Sequence, residues 1–241
     1  LTNGQKPEEE PTDGRALRTH PQRAAVRLWL VGGDAGEEGG ARARELTGPR
    51  ILVTAESADW LVGMTDLEPV AWPPAPIKTE RLVLREPEAR DRVAVIELLA
   101  SPEVSTYLGG PRPRDELERE IAGAPGRRPG LFTVDLDGSM IGQITLTQET
   151  GHLPQAAGKA ELGYLFLPHA WGRGYAAEAC AAALDWFTGV LPGEPVVLAT
   201  QTANVRSMRL AAKLGFTEVE RFEAYGAEQW FGMWSPGSLS N

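Results

Sequence analysis

A glutamate, a glycine turn and a serine are the groups in this sequence suited to proton transfer and anion binding. Glu161 stands in an apolar segment, residues 160–167, which runs into Trp171, Gly172, Arg173, Gly174, Tyr175 and Ala176 and then into an alanine-rich helix. Gly172 and Gly174 let backbone come close to a ligand with no side chain between, and the first turn of the helix offers N–H groups that lack intrahelical partners. An anion such as a phosphate suits that junction, and Arg173 adds a positive charge. Spacing alone leaves a second reading open, because Gly172, Gly174 and Ala177 also match the G-x-G-x-x-A of a dinucleotide turn. That fold calls for a strand ending in an acidic residue about 20 residues on. Glu194 lies near that distance but before the next strand, 196–200, which runs into Gln201 and Thr202. Too few elements follow the turn for a doubly wound sheet.

The second segment is ANVRSMRLAAKLGF, residues 203–216. Asn204 is a favourable helix cap and Gly215 a favourable stop. A helix between them gathers Val205, Met208, Leu210, Ala211 and Leu214 mostly on one side and puts Ser207 at its third position, at the mouth of the same sheet edge. A capped amphipathic helix with a hydroxyl in its first turn explains the same residues without any chemistry.

Together these segments resemble the GNAT superfamily of N-acetyltransferases, and within it the RimJ/RimL-like branch that acetylates ribosomal-protein N-termini and various small amines. The resemblance runs through KTERLVLREPEARDR (78–92), GYLFLPHAWGRGYAAEA (163–179) and NVRSMRLAAKLGF (204–216). The family's pyrophosphate motif, Q/R-x-x-G-x-G/A, is occupied here by residues 171–176; Trp171 departs from it at the first position but is a familiar occupant in this branch. The resemblance implies an α/β fold with a mixed, mostly antiparallel sheet of about seven strands and helices on both faces. It implies acetyl-CoA as cosubstrate, a primary amine as acceptor, and direct attack in a ternary complex. The backbone of Leu165, Phe166 and Leu167 would pair with the pantetheine arm, and Trp171, Gly172, Arg173, Gly174, Tyr175 and Ala176 would hold the pyrophosphate. Asn204 and Ser207 would bond the cofactor, with Ser207 donating to the departing sulfur. A monomer or a homodimer is compatible with the family. A binding module that has kept the acyl-CoA cleft and lost catalysis would carry the same glycines and Asn204.

Acetyl transfer requires a neutral amine, so a site must accept a proton, align the reactants and stabilise an oxyanion. Glu161 is the best placed carboxylate: strand alternation puts it on one face with Gly163, Leu165 and Leu167, and apolar neighbours favour uptake of a proton by a carboxylate. An ion-paired or solvated glutamate is the plainer alternative. Tyr164, Tyr175 and Tyr225 are further proton donors or packing residues. The acceptor would be selected by residues 101–128 and the loop around Tyr225, where Trp230 and Trp234 also lie; Arg112, Arg114, Arg127 and Arg128 could meet an acidic one. His152 and His169 have no metal-like partners at useful spacing, so no metal is assigned.

The chain has 241 residues, a formal net charge of −9 and one cysteine, Cys180, which excludes an internal disulfide and reads as a small buried thiol. The charge argues against a nucleic-acid partner. No apolar run approaches the roughly 18 residues of a membrane helix, and the beginning LTNGQKPEEEP lacks a signal peptide's pattern, so a cytoplasmic protein with no membrane partner is expected. Residues 1–63 contain no methionine and little periodicity and read as a disordered or non-native extension, with a small unfamiliar domain as the alternative. A proline-rich lead, 64–77, precedes the acetyltransferase-like domain, 78–241. Within it we expect strands at 79–85, 131–137, 139–147, 160–167, 196–200, 217–223 and 228–234. Helices are expected at 88–100 (Val93, Ile96, Leu99 and Ala100 inward), 114–122, from the glycine turn to about 187, and 204–215.

Overall fold

A computed structural model describes residues 74–147 and 154–236. The extension 1–63, most of the 64–77 lead and His152 lie outside the described residues. The strands are β1 (Ile77–Lys78), β2 (Val83–Arg85), β3 (Leu131–Leu136), β4 (Ser139–Thr147), β5 (Ala160–Phe166), β6 (Val196–Gln201), β7 (Thr217–Ala224) and β8 (Ala227–Trp234). The helices are α1 (Arg92–Ala100), α2 (Arg114–Glu120), α3 (Tyr175–Val190) and α4 (Val205–Leu214). One eight-stranded sheet takes the order β1-β2-β3-β4-β5-β6-β8-β7. The eighth strand beyond the expected seven comes from a bend at 79–82, where the Thr79 N–H donates to the Leu82 carbonyl and splits the first strand in two. Among the described residues only β5 and β6 pair in parallel. A doubly wound parallel sheet is therefore excluded, and the dinucleotide reading with it.

Local chemistry sets the connections. Asp137 and Gly138, both at positive φ (52° and 85°), close the β3–β4 hairpin in the way a two-residue turn requires. Asn204 caps α4 by accepting the Ser207 N–H on its side-chain oxygen, and Gly215 ends it at φ 86°. Side chains alternate along β5 as expected. Leu162 and Phe166 join Ala179, Cys180, Ala183, Leu184 and Phe187 of α3 and Ala211 and Leu214 of α4, while Leu165 and Leu167 pack with Val95, Ile96, Leu98 and Leu99 of α1 and Leu117 of α2. Helices thus cover both faces, and burying each such leucine contributes about 1.5–3 kcal/mol. Burial also pushes the Cys180 thiol well above its ordinary range.

The expected inward face of α1 is corrected. Val93 is 62% exposed, and Val95, Ile96, Leu98 and Leu99 are the buried residues. The segment begins with a 3₁₀ turn at Ala89–Asp91, and α1 is apolar nearly all round, so periodicity does not select its face. That turn delivers Asp91 to a buried cation. Arg85 donates to Asp91 at 2.7 and 2.9 Å and to Asp135 at 2.8 and 3.1 Å. Burial pushes the Asp91 carboxyl up, but the Arg85 hydrogen bonds and charge, with the Glu88 N–H, outweigh it and hold the group below the usual aspartate value.

One feature of the sheet positions the site. β4 holds β5 as far as Phe166 and β8 holds β6 as far as Gln201, yet β5 and β6 pair only at Ala160↔Val196 and Glu161↔Val197. Beyond Glu161 the two inner edges separate and leave unpaired backbone facing a gap.

Candidate active site

The gap is the floor of a cleft of about 1160 Å³, walled by both open strand edges, the glycine turn and one side of α4. Leu167 donates its N–H to the Ile141 carbonyl on β4, so by strand alternation the backbone groups of Phe166 and Tyr164 point the other way, into the opening. The Phe166 carbonyl is taken by the Trp171 indole N–H at 2.7 Å. Trp171 thereby fastens the end of β5 to the turn, and the Arg206 guanidinium lies 4.9 Å from the centre of its ring.

Both turn glycines are in the left-handed region, Gly172 at φ 75° and Gly174 at φ 81°. The first bond of α3 runs from the Glu178 N–H to the Gly174 carbonyl at 3.1 Å, so the N–H groups of Tyr175, Ala176 and Ala177 precede it and have no helical acceptor. All three residues line the cleft. Glu178 would set a negative charge beside these N–H groups, but Arg81 meets it at 2.6 Å. Burial pushes the Glu178 carboxyl up; hydrogen bonds from Thr79 and from Arg81, together with the Arg81 charge, prevail and hold it below the usual glutamate range. Arg81 also donates to the Arg173 carbonyl at 3.1 Å and lies 4.7 Å from the centre of the Tyr175 ring, tying the β1–β2 bend to the turn.

The floor carries the titratable groups. Glu161, 7% exposed, stands where β5 and β6 part and lines the cleft. Tyr225, at φ 56° in the β7–β8 turn, faces it: burial and the Glu161 charge hold its phenol above the ordinary tyrosine value. A bulky residue at positive φ is strained, and such strain collects at functional sites. On the other wall Ser207, buried, shares a 2.6 Å hydrogen bond with the Tyr164 hydroxyl. Burial pushes the Tyr164 phenol well above its usual range.

The cleft therefore brings together Glu161, Leu165, Phe166, Trp171, Gly172, Gly174, Tyr175, Ala176, Asn204 and Ser207. Leu167, 2% exposed, belongs to the α1 side, and Arg173 is outside the lining. His169 ends up in a 3₁₀ turn, Pro168–Ala170. Trp230 and Trp234 are core residues. Of the variable stretch, residues 103, 104 and 106–108 line the cleft, and Gln201 donates to the Tyr107 carbonyl at 3.0 Å. The arginines that were candidates for an acidic acceptor lie outside the lining: Arg112 pairs with Glu120, Arg114 with Glu118, and Arg127 bonds the Pro87 carbonyl. Sequence reasoning missed Arg206, Arg209 and Lys213, which line the cleft from α4. Their spacing of three and seven residues on a capped helix was the available signal.

Comparison with known proteins agrees with this geometry. Residues 81–217 match the model of the acetyltransferase (GNAT) domain. The chain belongs to the GNAT acetyltransferase family. YkkB, a Bacillus subtilis (strain 168) protein, is 30% identical over 148 residues, 57% of this chain and 82% of its own. The crystal structure of an acetyltransferase from Agrobacterium tumefaciens str. C58 is similar at 27% identity, with a TM-score of 0.54 over 69% of this chain and 98% of that one. Spermidine N-acetyltransferase from Vibrio cholerae, solved in complex with CoA and spermine, shares the fold at 19% identity, with a TM-score of 0.52 over 66% of this chain and 98% of that one. Among the described residues, the GNAT sheet and its turn make up most of the ordered elements, and no helix is long and apolar enough to cross a membrane.

Proposed function

We propose that this GNAT protein transfers the acetyl group of acetyl-CoA to a primary amine, by direct attack with both substrates bound. The observation that carries this is the opening of the sheet at Glu161, which puts a buried carboxylate, an unpaired strand edge and an anion-binding helix start in one cleft. The residues fit the cosubstrate. The free N–H groups of Tyr175, Ala176 and Ala177 and the glycine turn would hold its pyrophosphate, and Arg206, Arg209 and Lys213 would offer charge to its other phosphate. The open edge at Tyr164 would receive the amide-bearing arm as an added strand does. Acetyl-CoA supplies the activated thioester.

Glu161 takes a proton from the bound ammonium, so that the nitrogen carries a lone pair. The Phe166 N–H, pointing into the opening, is placed to stabilise negative charge on the carbonyl oxygen. Ser207 meets the sulfur as it departs. The carboxylates of Glu103 and Glu161 and the hydroxyls of Thr106, Tyr107 and Tyr225 in the lining suit a cationic amine. Protein N-termini, as in the RimJ/RimL-like branch, and polyamines, as in the Vibrio cholerae relative, both meet that description.

Thiol release from acetyl-CoA in the presence of a peptide beginning with alanine, spermidine, an aminoglycoside or free lysine tests the proposal. Stimulation by one of them is expected. CoA binding without stimulation by any would favour a binding module.

A further inference from the structure

We infer that the Tyr164 phenol positions Ser207, donating its proton to the serine oxygen and so turning the Ser207 O–H toward the departing sulfur. This rests on the reading of Ser207 as the group that meets that sulfur. A serine in the first turns of a helix ordinarily gives its proton to a carbonyl three or four residues back. Here the Ser207 hydroxyl is instead 2.6 Å from the phenol of a residue 43 positions away. The Ser207 backbone is fixed independently, by the 3.2 Å bond from its N–H to the Asn204 side chain. The serine is therefore held at two points.

Two hydroxyls carry two protons, and the bond between them uses one. Which proton is left over decides the function of the pair. A phenol is the more acidic partner and the better donor. Burial raises Tyr164 further, so it keeps its proton across the working pH range. With Tyr164 donating, the Ser207 proton stays unspent on a residue that lines the cleft. As the carbon–sulfur bond breaks, its electron pair goes to sulfur and Ser207 donates a hydrogen bond to that charge. The thiolate then takes the second proton released by the former amine nitrogen. Tyr164 and Ser207 end as they began.

The test uses CoA itself and needs no acceptor: the thiol of bound CoA is titrated by its thiolate ultraviolet absorbance in the wild type, Ser207→Ala, Tyr164→Phe and the double variant. A donated hydrogen bond favours the thiolate, so Ser207→Ala should raise the thiol's proton affinity by about tenfold. Tyr164→Phe should raise it by a smaller factor, and the double variant should match Ser207→Ala, because the phenol acts only through the serine. Each variant is titrated at saturating CoA, and an unchanged circular dichroism spectrum with cooperative unfolding certifies the fold in all four. A shift in Ser207→Ala with none in Tyr164→Phe, or additive shifts in the double variant, overturns the inference alone. No shift in Ser207→Ala removes the Ser207 reading and the inference together, and no CoA binding by the wild type removes the functional proposal beneath both.

Discussion

Glu161 and Gly174 do opposite jobs in the cleft, and replacing each should damage a different quantity. Glu161→Gln keeps size and shape but cannot take a proton; turnover should fall by roughly 10²-fold, the ordinary contribution of a positioned base, with CoA affinity unchanged by calorimetry. Unaltered turnover in the folded variant would leave a water chain, or no dedicated base. Gly174→Val introduces a branched side chain at φ 81°, where its Cβ would lie 3.5 Å from the Arg81 guanidinium. The strain and the lost approach to three open N–H groups should weaken CoA by at least tenfold, and equal affinity would remove the turn from the binding site. These residues could be picked out from sequence because their signals are local: a glycine pair before a helix, a lone carboxylate on an apolar strand. The Tyr164–Ser207 bond, the Arg81–Glu178 pair and the influence of the Glu161 charge on Tyr225 could not. Each joins residues 43 or more positions apart, and only the sheet brings them together.

At the scale of elements, two joints hold the cleft's frame. The first fastens α1 to β2 and β3 through Arg85, Asp91 and Asp135, all within 9% exposure. Asp91→Asn leaves Arg85 with Asp135 as its remaining buried carboxylate, so it should cost roughly 1.5–3 kcal/mol of unfolding free energy in denaturant titration, the worth of a hydrogen bond to a charged group. A loss under about 1 kcal/mol would mean that water reaches Arg85. The pH dependence has a definite sign. A carboxyl held below its ordinary value contributes stability that is present above that value, about 3.9 for aspartate, and is lost as pH falls through the lower, folded one. Unfolding temperature should therefore drop as pH is taken below about 4, and less steeply in Asp91→Asn. The second joint is Glu178 with Arg81 and Thr79, and its contribution fades in the same direction. Hairpin turns and the α4 caps were readable because two or three residues dictate them. The inward face of α1 was not, because a helix apolar nearly all round takes its face from what packs on it, here Leu165 and Leu167.

For the whole molecule, the family's element order could be read from spacing, but the opening between β5 and β6 could not: nothing in either strand's sequence says that pairing stops after Glu161. Each of the two strands is held by its other neighbour, β5 by β4 and β6 by β8, past the point where they stop pairing with each other. Every residue assigned to the site falls within 103–229. A chain of residues 64–241 is accordingly expected to unfold cooperatively and bind CoA with the affinity of the full chain; failure to fold would make the preceding residues part of the structure. The most direct test of the central claim is the rate of free-thiol release from acetyl-CoA by the full chain, with and without each amine of the panel, and with the acetylated product confirmed by mass. Release well above the amine-free rate is expected for at least one amine, with one acetyl group gained per thiol. Tight CoA binding with no amine-dependent release would contradict the claim.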